Sequence, residues 1–190
     1  MPAATAIHAA LVSAGVNTIL HPDMSAVLHG KLIVNLNNAV NALSGLPLRR
    51  QMGTRLYRKC ISLCQWEALA VLERKQIGAL SFLPTPIWTL PYVLSLPDWL
   101  FGVLASAVLS IDDTAYSSMY EDLTLGRTTE IDYLQGYISR LGKEVGVKTP
   151  CCDKVIELVK AAESAKKGSP NMAAEALLEQ LTAVSQTQEK

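Results

Sequence analysis

An all-α domain is the fold class that this 190-residue sequence predicts, on three observations. Leucine, isoleucine and alanine recur at three- and four-residue spacing along 28–43 and 57–72, the signature of helices with one apolar face. Glycine and proline fall at the ends of such segments: Gly15, Ser44-Gly45-Leu46-Pro47, Gly126 and Gly146. The one β-branched run, Val16 to Leu20, can form a single short strand, which cannot satisfy its own backbone and would need a sheet from elsewhere.

Residues 3–14 read as a short apolar helix ended by Gly15, because glycine takes the left-handed C-terminal conformation without a Cβ penalty. Asp23 is placed to cap a helix running to about Leu43. A long helix is predicted from Met52 to Gln76, with Tyr57, Ile61, Cys64, Ala68 and Leu72 on its packed face. Residues 76–97 carry no charge and raise the question of a membrane span, but Pro84, Pro86, Pro91 and Pro97 would leave carbonyls without donors in hydrocarbon. The apolar stretch then continues to Ile111, too short to cross a bilayer and suited to a buried helix or a partner surface. Beyond it come a segment Tyr116 to Leu125, a capping box at Thr129-Glu130-Ile131-Asp132 and a helix over 151–165. Lys166-Lys167-Gly168-Ser169-Pro170 reads as a linker to a polar, frayed tail helix.

The second predicted helix has two faces. Leu28, Leu32, Leu36, Ala39 and Leu43 form an apolar stripe, and Lys31, Asn35, Asn38 and Asn41 a polar one. Each asparagine costs about 0.5 kcal/mol of helix propensity relative to alanine, so the four between Asn35 and Asn41 need compensation. Binding a polar ligand would supply it; the alternative is a plain solvated face, which more often carries Glu, Lys and Gln.

With 17 basic and 17 acidic residues, the net charge is zero and no block of like charge occurs, which argues against nucleic acid as a partner. The first basic residue is Lys31, so the amino terminus lacks the positive region of a secretory signal, and a cytoplasmic chain is expected. Cys60, Cys64, Cys151 and Cys152 match no common zinc spacing and read as free core thiols; no metal is expected.

Leu28-His29-Gly30-Lys31-Leu32 with Asn35, then Ser117-Ser118-Met119-Tyr120-Glu121-Asp122, Gly126-Arg127 and Thr129-Glu130-Ile131-Asp132-Tyr133-Leu134-Gln135-Gly136, resemble the carboxy-terminal domain of the ketopantoate reductases (2-dehydropantoate 2-reductases). The resemblance spans roughly residues 5–165 and implies the helical fold shared with the 6-phosphogluconate dehydrogenase carboxy-terminal domain. It also implies an NADPH-dependent reduction of a small 2-keto acid, ketopantoate to pantoate, in coenzyme A biosynthesis. Lys31 would be the general acid, with Glu130 orienting it beside the cofactor ribose. Asn35, Asn38 and Ser118 would bind substrate. Three positions depart from the family pattern: His29 for a tryptophan, Ala39 for a ligand asparagine, for which Asn38 would compensate, and Ala115 for an asparagine.

The sequence contains no Gly-x-Gly-x-x-Gly, the loop that brings backbone amides and a helix N-terminus to a dinucleotide pyrophosphate. The expectation is therefore a substrate domain without its Rossmann partner, which would join it in cis or in trans. Residues 1–21 would be a hinge remnant, 22–167 the catalytic domain and 168–190 a polar tail. Lys31 and Glu130 should line one cleft, and a homo-oligomer is expected. The other class of function is a stand-alone helical interaction or dimerisation module, using the apolar stretch from Leu80 to Ile111. Such a module would have no reason to hold Lys31, Asn35, Ser118 and Glu130 together.

Overall fold

The computed structural model describes residues 2–81, 85–104 and 112–186; among them the chain is helical and contains no strand. Helix α1 (Pro2–Ser13) ends where Gly15 turns at φ +80°. The short strand expected over 16–20 is instead irregular backbone. With no sheet beside it, the segment folds back toward α1, and His8 Nδ1 lies 3.0 Å from Thr18 Oγ1. Ile7, Val12, Val16, Ile19 and Leu20 are all exposed, Ile19 to 85%.

Asp23 caps α2 (Met24–Asn35) by accepting the Ala26 N–H at 2.9 Å. The single helix expected to reach Leu43 is broken at Leu36, and α3 (Asn37–Ser44) follows, closed by left-handed Gly45 at φ +68°. The core stripe is correspondingly displaced: Ile33, Leu36, Val40 and Leu43 are fully buried, whereas Leu28 is 59% exposed. Thr54 likewise divides the helix expected from Met52 to Gln76 into α4 (Leu48–Gly53) and α5 (Arg55–Arg74).

Helix α5 is the axis of the core. Along its length Cys60, Ile61, Cys64, Ala68, Val71 and Leu72 are buried. Its Arg58, fully buried, folds up the proline-rich segment that follows: a 3₁₀ turn (Ile87–Thr89), α6 (Leu90–Ser95) and α7 (Asp98–Leu104). The guanidinium donates to the Met52, Leu94 and Leu96 carbonyls, pairs with Asp98 at 2.9 Å and stacks over Phe101 at 4.0 Å. Planar, with five donors, arginine can collect carbonyls that short helices and prolines leave unpaired. Pro84 and residues 105–111 of the predicted apolar continuation lie outside the described residues. No helix among the described residues is long and apolar enough to cross a membrane.

Helix α8 (Ser118–Thr124) is capped by Ser117, whose Oγ accepts the Tyr120 N–H at 3.2 Å. The predicted capping box at Thr129 does not form. The Thr129 N–H instead donates to Glu163 of α10 (Pro150–Ala165) at 2.7 Å, and only a 3₁₀ turn (Ile131–Tyr133) precedes α9 (Gln135–Val145). A carboxylate from another helix has taken the donor that Asp132 would have served.

The tail helix α11 (Ala174–Gln186) is docked rather than frayed, with Leu177 and Leu181 fully buried against α5 and α10. Its approach is tethered by Tyr57 donating to the Met172 carbonyl at 2.7 Å and by the Met172 N–H reaching the Leu43 carbonyl at 2.8 Å. The four cysteines are free and buried at the crossing of α5 and α10.

Candidate functional site

Three of the expected site residues meet directly. Glu130 sits just before the 3₁₀ turn, and its Oε1 accepts the Ser118 hydroxyl at 3.2 Å and the Asn38 amide at 3.4 Å. These groups come from three places in the chain, so the arrangement is a product of tertiary folding. Glu130 Oε2 accepts no hydrogen bond among the described residues.

The node is built on a rigid floor. Asn41, fully buried, donates to the Leu46 carbonyl at 2.9 Å and accepts the Ser117 N–H at 3.0 Å. Ser117 in turn donates to the Asn38 carbonyl at 3.2 Å. Ser117, the first of the serine pair, thus fastens the N-terminus of α8 to α3, and Ser118, the second, is left exposed beside Glu130. The polar stripe read from the sequence is therefore divided in use. Asn41 and Asn37, which accepts from Gln51 at 2.9 Å, serve the fold, and their bonds offset the helix cost of asparagine.

Lys31 and Asn35 stand on the other side of the Leu36 break. Lys31 is exposed and has no hydrogen-bond or ion-pair partner among the described residues, Glu130 included; the Asn35 side chain is also unpartnered among them. Residues 31, 35 and 38 share one ridge, because Leu36 keeps right-handed helical angles (φ −57°, ψ −18°). Lys31 therefore lies roughly 10 Å along the axis from Asn38, with Asn35 midway. The structure joins Asn38, Ser118 and Glu130 and leaves Lys31 and Asn35 as open donors on the same ridge.

The arm carrying Lys31 is held by close approach. A Cβ on Gly30 would overlap the Leu80 carbonyl, and the Leu80 N–H donates to the Ala26 carbonyl at 2.8 Å. Beside it His29 Nδ1 lies 2.7 Å from the Ser25 carbonyl and Nε2 lies 3.0 Å from the Tyr137 hydroxyl. A carbonyl only accepts, so Nδ1 carries the proton and Nε2 of the neutral ring accepts from Tyr137. Tyr137 and the buried glutamines around Leu36 were not singled out in the sequence. Gln65 could have been, as a polar residue on the buried stripe between Ile61 and Ala68.

Ala39 and Ala115, two of the departures, are not free positions. Ala39 is fully buried, and the Ala115 carbonyl accepts the Leu48 N–H at 2.8 Å. Among the described residues no group of three His, Cys, Asp or Glu side chains is placed to hold a metal.

The family profile "Ketopantoate reductase PanE/ApbA C terminal" matches residues 23–163. A 2-dehydropantoate 2-reductase of Yersinia pestis is 31% identical over 144 residues, covering 76% of this chain and 41% of that protein. One from Lactococcus lactis is 49% identical over 53 residues, 27% of this chain and 17% of its own. Among solved structures, D-mandelate dehydrogenase with NADH and anilino(oxo)acetate superposes with a TM-score of 0.70 at 25% identity, over 87% of this chain and 49% of that one. A PanE/ApbA family ketopantoate reductase from Ralstonia eutropha superposes with a TM-score of 0.67 at 22% identity, over 86% and 49%, a likeness of fold. The chain spans at most about half the length of each of these relatives.

Proposed function

The chain belongs to the ketopantoate reductase carboxy-terminal family, and from that premise we propose that it is the substrate-binding and catalytic half of a nicotinamide-dependent 2-keto acid reductase. The observation that carries this reading is the Asn38–Ser118–Glu130 node, with Lys31 and Asn35 left as open donors on the ridge that Asn38 shares. Four polar side chains and a lysine without structural employment, gathered from distant parts of the chain, are what a small oxyacid requires.

In this reading Ser118 turns its one hydroxyl proton from Glu130 to the substrate carboxylate, Asn35 donates to the carbonyl, and Asn38 keeps Glu130 in place. Lys31, an ammonium with three rotatable donors, stabilises the oxyanion that develops on the keto oxygen as hydride reaches the keto carbon, and gives that oxygen a proton. The unpartnered Oε2 of Glu130 suits a ribose hydroxyl, so the residues present fit the nicotinamide end of a dinucleotide. The given sequence holds no Gly-x-Gly-x-x-Gly, and phosphate binding is assigned to a Rossmann domain acting in cis or in trans. The cofactor supplies the hydride when bound. NADPH is the form carried by the family resemblance, and 2-dehydropantoate, which is ketopantoate, is the substrate in the names of the Lactococcus lactis and Yersinia pestis relatives.

The exposed apolar residues of α1 and 16–20 offer a face for that second domain, and Trp99, Val103 and Leu104 on α7 a separate face for a second copy. The test is steady-state kinetics of the chain joined to an NADPH-binding domain. Lys31→Ala should lower kcat on ketopantoate by on the order of 10² or more, as expected for loss of a general acid that also stabilises charge. A variant with unchanged kcat would remove Lys31 from the chemistry. The 190-residue chain alone should neither bind NADPH detectably nor turn over.

A further inference from the structure

The break at Leu36 is clamped from three sides. Gln65 of α5 donates its amide to the Ile33 carbonyl at 3.0 Å, Gln135 at the start of α9 donates to the Leu36 carbonyl at 2.9 Å, and Gln51 of α4 donates to Asn37 Oδ1 at 2.9 Å. All three side chains are buried, Gln65 to within 1% and the others completely. No backbone N–H reaches across the break to the Ile33 carbonyl among the described residues. In each glutamine the amide oxygen has no partner in the structure. Turning over the Gln65 or Gln135 amide would set its oxygen against a backbone carbonyl oxygen, so these two have a defined orientation.

Stability alone does not favour this arrangement. Three buried acceptors left without donors are a liability that an unbroken helix and three apolar side chains would avoid. What the glutamines accomplish is geometric: they grip the backbone on both sides of the junction between the Lys31–Asn35 arm and the Asn38–Ser118–Glu130 node. The arm itself is thinly packed, since between Met24 and Asn35 only Gly30 and Ile33 are buried.

We propose that Gln65 and Gln135 are positioning residues that fix the break at Leu36 and thereby set the distance between Lys31 and the Glu130 node. The inference rests on the reading of Lys31 and Asn35 as substrate-binding groups. It concerns where those groups stand, and the glutamines themselves touch no substrate.

The experiment places nitroxide labels at Leu28→Cys on α2 and Glu121→Cys on α8, both exposed, while the four native thiols are buried and escape labelling. Electron-electron dipolar spectroscopy then reads the distance from arm to node in the 190-residue chain. One narrow distribution is expected with the glutamines intact, and a broadened or shifted one in Gln65→Met and Gln135→Met, which keep the side-chain shape and remove the donor. Gln65→Glu supplies a control that general loosening would not reproduce. Below its burial-raised pKa the neutral acid can donate to the Ile33 carbonyl and restore the narrow distance, and above it the carboxylate cannot. Pantoate, titrated by NMR, should bind the methionine variants roughly tenfold more weakly or worse, because small misplacements of binding groups are costly. Distances identical in all variants, or a Gln65→Glu distance indifferent to pH, would overturn the proposal. If the chain with its glutamines intact does not bind pantoate, the functional reading fails instead, and the distances still decide whether the clamp exists.

Discussion

Asn38 donates its side-chain amide to Glu130 Oε1 at 3.4 Å, across 92 positions of sequence. That bond is where α3, which follows the lysine-bearing helix across the Leu36 break, meets the turn bearing the acid. Removing the acceptor's charge tests whether it matters to ligand binding or only to the fold. Glu130→Gln should leave the melting temperature within a few degrees, since a half-exposed hydrogen-bonded charge contributes little, and should weaken binding of a 2-keto acid by about tenfold. Calorimetry and an NMR titration on the same sample separate the two effects.

Asn41 is the complementary case. Its amide joins the part-buried Leu46 carbonyl to the buried Ser117 N–H. Asn41→Leu should cost about 2 kcal/mol in urea unfolding, chiefly because it strands the buried donor at about 1–3 kcal/mol. A loss under 1 kcal/mol would show that Ser117 is held by other means.

Gly30→Ala sets a methyl group on the Leu80 carbonyl. Overpacking of this kind costs about 1–3 kcal/mol, and the cost should come with release of the strand of chain over 77–80 from α2. Hydrogen exchange at the Leu80 amide, now bonded to Ala26, should quicken selectively. Unchanged protection there would contradict the close approach.

Glu67 gives a pH dependence with a definite sign. Its carboxylate accepts the Cys151 and Cys152 N–H groups at 2.7 and 2.8 Å at the start of α10, yet burial holds its pKa above the ordinary 4.5. A raised acid pKa means the folded state binds the proton more tightly, so this contribution is full below the ordinary value and declines as pH rises through the folded one. Glu67→Gln should flatten that part of the stability curve between about pH 4.5 and neutrality, measured by denaturant unfolding at several pH values. A curve of unchanged shape would show that Glu67 titrates normally.

The thiols should be silent. Cys60, Cys151 and Cys152 are all raised above the usual thiol range, Cys60 by burial to about 12, and Cys152 by contact with Cys64 as well as burial. Thiolate is the reactive form, so a disulfide reagent at neutral pH should titrate close to none in the folded chain and all four in guanidinium. Rapid modification of the folded protein would mean that the crossing of α5 and α10 opens readily.

The helical character, the Asp23 cap and the Gly45 stop were legible in the sequence, because they follow from local periodicity and from what glycine and aspartate do at helix ends. The residues of the node were legible only through family resemblance, since nothing local says that Glu130 and Asn38 meet. The sequence misled where a tertiary partner won: Glu163 displaced the Thr129 capping box, and Leu177 and Leu181 gave the tail a core to join. The Leu36 break was invisible because Leu36 itself favours helix. The groups that meet it are glutamines on other helices, which no local pattern announces.

The central claim is that one face of this chain holds a small 2-keto acid, and the most direct measurement is a titration of the ¹⁵N-labelled chain with ketopantoate. Shifts concentrated at Lys31, Asn35, Asn38, Ser118 and Glu130, and lost in Lys31→Ala, are the predicted result. No saturable shifts, or shifts gathered away from these residues, would contradict it.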